Sequence, residues 1–208
     1  MPKSDGGYRR IHDISFPPAS LVNDAILEEY GALVYTTVTA IQAHVISAGR
    51  RCLLLKRDIK DAFCIVPLSY RARTLIGFSW EGVTYQECCL SFGLQTAPLI
   101  FNLFAEGLHR ILYSQLPYKV EHYLDDFIFI LANPNDLAAV TQTYISVTNS
   151  LGTLRNGSKD TAGTVIEVLG YTIDTVQMQT RLSPQKKSRV IEKVTTALQY
   201  GSLSFLQA

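Results

Sequence analysis

The sequence predicts a mixed α/β (α+β) domain in which an antiparallel sheet is backed by helices. Three observations point there. Two arms rich in β-branched and aromatic residues, Val120 to Leu124 and Phe127 to Leu131, read as a hairpin bent at Asp125-Asp126. The continuous apolar run Cys52 to Leu55 has the pattern of a strand buried on both faces. Three stretches, Thr37 to Ser47, Pro98 to Ser114 and Asn135 to Thr148, read as helices. With 208 residues, 47% hydrophobic and 18% charged, the chain is long enough for one domain with a substantial core.

In chain order, Pro2 to Gly7 is turn chemistry and Tyr8 to Ile14 alternates like a strand, so this end reads as a hairpin carrying Lys3, Arg9 and Arg10. Ser15 to Asn23, with Pro17-Pro18, is irregular. The Thr37 to Ser47 helix places Val38, Ile41, Val45 and Ile46 at helical spacing and stops at Gly49. The buried strand then ends in the charged cluster Lys56-Arg57-Asp58-Ile59-Lys60-Asp61, which fits either a strand end that delivers side chains to a cleft or simple termination by charge. Tyr70 to Thr74 adds a small basic patch, and Leu75 to Trp80 and Val83 to Glu87 form a hairpin through Glu81-Gly82. Pro98 suits the first turn of the next helix, whose apolar side is Ile100, Leu103, Phe104, Leu108, Ile111 and Leu112. After the third helix come a Gly-rich turn holding Lys159, strands Val165 to Leu169 and Tyr171 to Ile173 about Gly170, and a basic helix opened by Ser183-Pro184.

Asp125-Asp126 is the chemical focus. On a straight strand neighbouring side chains point to opposite faces, whereas at a tight turn both carboxylates can face one small volume. Like charges on an apolar hairpin call for cationic neutralisation, which hard divalent ions with oxygen ligands supply. Taken alone, the dipeptide fits an ordinary Asp-Asp turn in water at least as well.

Overall charge gives no support for a nucleic-acid partner, since 19 basic residues face 18 acidic ones. Such contacts must come from local patches. Cys52, Cys64, Cys88 and Cys89 lack zinc-ligand spacing and read as buried free thiols in a reducing compartment. The most apolar windows, Leu33 to Val45 and Phe127 to Ala132, are too short or interrupted to span a bilayer, so no membrane partner is expected. The chain reads as intracellular, in the cytoplasm, the nucleus or both.

The order of these segments resembles the motif series of reverse transcriptases, RNA-directed DNA polymerases. Arg9 to Asp13 is similar to the fingers motif, Lys56 to Leu68 to motif A, Leu90 to Asn102 to motif B, and Tyr123 to Asp126 to the YxDD box. Lys159 resembles the motif D lysine, and Leu169-Gly170-Tyr171 the primer grip. Several ordered matches across almost the whole chain are far more specific than any one. Within the family, Arg9-Arg10-Ile11-His12-Asp13, Ser91-Phe92-Gly93-Leu94 and Leu169 to Asp174 most resemble retrotransposons of the tyrosine-recombinase (DIRS-like) type, with gypsy-like elements next.

The resemblance implies a polymerase palm with partial fingers and two-metal nucleotidyl transfer to a primer 3′ end on an RNA or DNA template, using deoxynucleoside triphosphates. Asp58 and Asp125 would bridge two Mg²⁺ (or Mn²⁺) ions on one side of the sheet, with Asp126 a looser ligand and Ile59 completing the metal set. Lys3 and Arg9 would clamp the triphosphate. Ile59, Lys60, Asp61, Ala62 and Phe63 would run beneath sugar and phosphates with their backbone N–H groups, Phe63 crowding a 2′-hydroxyl unless it is plain core. Phe92 and Gly93 would pack near nucleotide and template; Phe92 stands where retroviral enzymes carry glutamine, as in gypsy and DIRS elements. Lys159 would give a proton to pyrophosphate, unless it is a solvated turn lysine.

By the same resemblance, partial fingers span 1–32 and about 66–95, the palm 33–65 and 96–182, and a thumb-side helix 183–208. The expected chain is thus truncated, short of most of the thumb and of RNase H, recombinase or integrase domains. A catalytically inactive remnant that at most binds nucleic acid or a partner protein is the alternative function.

Overall fold

The computed structural model describes residues 10–14 and 22–200. Lys3, Arg9 and the opening turn lie outside them, and Arg10 to Asp13 form no strand. In order, the elements are α1 (Val38–Ala48), β1 (Leu53–Asp58), α2 (Tyr70–Arg73), β2 (Gly77–Trp80), β3 (Val83–Gln86), α3 (Ala97–Gln115), β4 (Lys119–Tyr123), β5 (Asp126–Leu131), α4 (Leu137–Ser150), β6 (Thr161–Gly163), β7 (Val165–Val168), β8 (Tyr171–Asp174), β9 (Gln179–Leu182) and α5 (Pro184–Tyr200). Val22–Ala25 forms a short 3-10 helix that overlaps the end of the Ser15 to Asn23 stretch expected to be irregular.

The described strands form three antiparallel sheets. The central sheet runs β4-β5-β1-β6, β2-β3 is a hairpin, and β7-β8-β9 forms the third. Two strands escape the sequence reading. β6 is three residues, Thr-Ala-Gly, and β9 is the polar Gln-Thr-Arg-Leu, so neither carries the apolar alternation by which strands are recognised.

β1 and β5 are buried on both faces, which explains their unbroken apolar runs. One face presents Leu55, Phe127, Phe129 and Leu131 to α3 and α4 through Phe101, Ala105, Leu108, Leu112, Val140 and Tyr144. The other presents Leu54, Ile128 and Ile130 to Ile41 and Val45 of α1 and to Ile166, Val168 and Ile173 of the third sheet. The helices therefore divide between two faces.

Two helices bury only part of their expected faces: Ile41 and Val45 of α1 and Leu108 and Leu112 of α3 are buried as expected. α3 buries Ala97, Phe101, Ala105, Leu108 and Leu112, while Ile100, Leu103 and Ile111 are exposed. Alanines at 97 and 105 let the helix approach the sheet closely, a stripe that a search for large apolar residues overlooks. In α1, Ile41 and Val45 are buried but Ile46 is exposed. Thr37 caps α1 by accepting from the Ala40 N–H at 3.2 Å.

Candidate active site

The face of the central sheet that is apolar beneath α1 becomes charged at its strand ends. Side chains alternate along a strand, so Leu54, Lys56 and Asp58 share this face of β1, and Ile130, Ile128 and Asp126 share it on β5. Asp58 lies directly opposite Asp126 in the register. The two carboxylates therefore emerge side by side, with Asp58 only 3% exposed.

The bend falls one residue earlier than expected. Tyr123 pairs with Asp126, leaving Leu124 and Asp125 as the two-residue turn and making Asp126 the first residue of β5. Leu124 has φ 51°, the positive sign that such a turn needs at its first central residue to match strand twist. The Ile59 N–H donates to the Asp125 carbonyl at 3.0 Å, which ties the turn to the end of β1. Asp125 thus projects from a turn anchored beside Asp58.

Two lysines reach these acids. Lys56 Nζ lies 2.8 Å from Asp126 Oδ2, and Lys159 Nζ donates to Asp58 Oδ1 at 3.2 Å. Lys159 belongs to the 3-10 turn Gly157–Lys159, whose approach is fastened to β1 by the Asn156 N–H donating to the Asp58 carbonyl and the Lys60 N–H donating to the Leu154 carbonyl, both at 2.9 Å. Asp125 has no ion-pair partner among the described residues.

Sequence reasoning left Lys56, Arg57 and Asp160 without roles. Lys56 was legible, because two residues before Asp58 on a strand means the same face. Asp160 had no signal beyond its neighbour Lys159. Its carboxylate accepts from the Asp58 N–H at 3.4 Å and faces Arg57 Nε at 3.4 Å, while Arg57 Nη2 donates to Thr141 Oγ1 at 3.0 Å.

The electrostatics are strained toward negative charge. Burial, then the neighbouring Asp126 charge, raises the pKa of Asp125. Burial also raises Asp126, against the opposing hydrogen bond and charge of Lys56, and burial raises Asp160 against Arg57. Three carboxylates with two lysines drawn onto them form an oxygen donor set suited to a hard divalent ion. In the present side-chain arrangement, however, no three His, Cys, Asp or Glu residues among the described ones converge as a ready metal-binding group. Lys159 and Lys56 hold Asp58 and Asp126 respectively.

Several expected positions have other engagements. The Ile59 and Lys60 N–H groups, expected beneath phosphates, donate instead to Asp125 and Leu154 carbonyls, and the Ile59 side chain is core. Asp61 adopts φ 51° and leads into the 3-10 helix Ala62–Ile65. Phe63 and Phe92 do come together, their ring centroids 4.8 Å apart, with Phe101 5.9 Å from Phe63. Gly93 allows a close approach, but to protein: a Cβ there would lie 1.9 Å from the His12 carbonyl oxygen. Leu169 and Gly170, at φ 51° and 75°, turn β7 into β8, and Lys186 Nζ sits 4.2 Å above the Tyr171 ring. That turn lies in the third sheet, not among the carboxylates. Of the four cysteines only Cys52 is buried as expected; Cys64 and Cys88 are exposed, and all four are free.

The fold is that of solved reverse transcriptases. A foamy viral protease-reverse transcriptase in complex with double-stranded DNA matches 92% of this chain and 31% of its own, with TM-score 0.70 and 18% identity. A second, from Prototype Foamy Virus, matches 88% and 22%, with TM-score 0.64 and 21% identity. The family model described as reverse transcriptase (RNA-dependent DNA polymerase) matches residues 1–173, and the chain belongs to that family. Among curated relatives, the Gag-Pol polyprotein of Avian leukosis virus subgroup A (isolate RSA) is 25% identical over 177 residues, 81% of this chain and 10% of the polyprotein. Protein P of Duck hepatitis B virus (strain United States/DHBV-16) is 27% identical over 138 residues, 65% and 16% respectively. The chain thus spans a small fraction of each relative.

Proposed function

We propose that this domain carries the catalytic carboxylates of an RNA-directed DNA polymerase, adding deoxynucleotides to a primer 3′ end on an RNA or DNA template. The observation that supports it best is the juxtaposition of Asp58, opposite Asp126 in the ladder, with Asp125 on the adjoining turn. Two Mg²⁺ or Mn²⁺ ions, when bound by Asp58, Asp125 and Asp126, would activate the primer hydroxyl and stabilise the leaving pyrophosphate. The paired strands hold the acids in place beforehand. Lys159, already at Asp58, is positioned to follow negative charge toward a departing phosphate and release a proton there. Phe63 against Phe92 forms an apolar wall able to exclude a 2′-hydroxyl. On this reading β1, β4, β5, α1, α3 and α4 are palm, β2 and β3 fingers, and the Leu169-Gly170-Tyr171 turn the primer grip.

The same proposal places the domain in a retroelement of DIRS-like or gypsy-like type, working in the cytoplasm or nucleus with thumb, RNase H and recombinase or integrase partners. The test is incorporation of labelled deoxynucleotide on a primed RNA template. The 208-residue chain alone is expected to extend very weakly or not at all, because misplacing reactants by about an ångström costs on the order of a hundredfold and a thumb supplies much of the grip. Extension by the flanking sequence of the element should bring activity, and Asp125→Asn in that longer chain should abolish it. Wild-type activity in the mutant refutes the assignment, and an inert long chain leaves the inactive-remnant reading.

A further inference from the structure

We infer that Lys56 is a built-in counter-ion of the site, holding Asp126 while no divalent ion is bound and releasing it on metal entry, so that Lys56 sets the metal affinity. The inference deepens the proposed function and rests on it. Lys56 shares the Asp58 face of β1 through strand alternation and reaches diagonally across the ladder to Asp126, which sits opposite Asp58. The contact is 2.8 Å, with the two side chains 22% and 23% exposed. It is the shorter of the two lysine contacts in the site.

Its placement distinguishes it from an ordinary surface pair. Lys159, the other lysine at the site, is 51% exposed and projects from a 3-10 turn. Lys56 is rooted in the middle of the central sheet between β5 and β6, pairing with Ile128 on one side and Thr161 on the other. Its backbone cannot leave, so only the side chain can move. A cation of higher charge held by Asp58, Asp125 and Asp126 would compete with Lys56 for the Asp126 carboxylate, and an ammonium beside it would oppose that cation.

Mn²⁺ serves as the probe on the full 208-residue chain, its binding read by electron paramagnetic resonance and by melting temperature. Lys56→Met should lower the metal-free Tm and tighten Mn²⁺ binding by about five- to tenfold, allowing for solvent screening of a partly exposed pair. Lys56→Arg should stay near wild type. In an Asp126→Asn background the Lys56→Met gain should vanish, because the competed oxygen has lost its charge. As a measurement independent of any variant, acylation of Lys56 in the wild-type chain, read by peptide mass spectrometry, should rise when Mn²⁺ is added. Unchanged or weaker Mn²⁺ binding in a folded Lys56→Met, or Lys56 acylation that stays level or falls, overturns the inference. A wild-type chain that binds no Mn²⁺ at all overturns the metal reading itself.

Discussion

Asp125 and Asp126 are poor neighbours in the absence of cations, and their raised pKa values turn that into a stability statement. A carboxyl whose folded pKa lies above its unfolded value contributes stability below the unfolded value, and the contribution is lost as pH rises through the folded one. The metal-free domain should therefore lose stability on raising the pH upward from about 4, the unfolded aspartate range. Asp125→Asn, which removes the acid that has no ion-pair partner among the described residues, should flatten that loss and raise the metal-free Tm at pH 7. Denaturant melts of both proteins across the pH range, without divalent ions, measure it. His122 works in the opposite direction. Burial first, then the His109 imidazole, lowers its pKa, so its stability contribution is lost as pH falls below about 6.5.

At the scale of elements, segments far apart in sequence are joined by close backbone approaches. The His12 N–H donates to the Phe92 carbonyl at 2.9 Å, and Gly93 lies so near the His12 carbonyl that no side chain fits. Gly93 also has φ 106°, in the region that glycine alone tolerates well. Gly93→Ala should destabilise by about 2 kcal/mol or more, through strain and displacement of the 10–14 segment. Chemical denaturation measures the loss, and an unchanged midpoint would contradict this packing. On α3, Leu108 is 1% exposed within the larger core cluster, so Leu108→Ala should cost about 2–5 kcal/mol. Leu103→Ala, on the exposed side of the same helix at 67% exposure, should fall within about 0.5 kcal/mol.

For the molecule as a whole, helices and the third sheet pack on the two apolar faces of β1 and β5, and the acids stand at the ends of those strands. An ion that binds only the folded arrangement stabilises it by mass action, about 2.7 kcal/mol at a hundred times its dissociation constant. Mg²⁺ or Mn²⁺ should accordingly raise Tm in the wild type, and Asp125→Asn combined with Asp126→Asn should remove the response. A Tm indifferent to divalent ions in the wild type would count against an intact site.

The residues themselves determined the Asp-Asp hairpin, the doubly buried strand, the α1, α3, α4 and α5 helices and the acids at the strand ends, because apolar periodicity and turn chemistry are local properties. Asp58, Asp125 and Asp126 were legible for that reason, and so was the family through its ordered motifs. Only the tertiary structure decided what those side chains touch. Which face of α3 is buried depends on how closely Ala97 and Ala105 let the helix approach the sheet. The partner of Gly93 is His12, some eighty positions away in sequence, and the partners of Asp126 and Asp58 are Lys56 and Lys159, chosen by strand register and by a loop folded back across β1. Register and loop closure are long-range outcomes of packing, and they bring Lys56 to Asp126 and Lys159 to Asp58 while Asp125 stands on the adjoining turn.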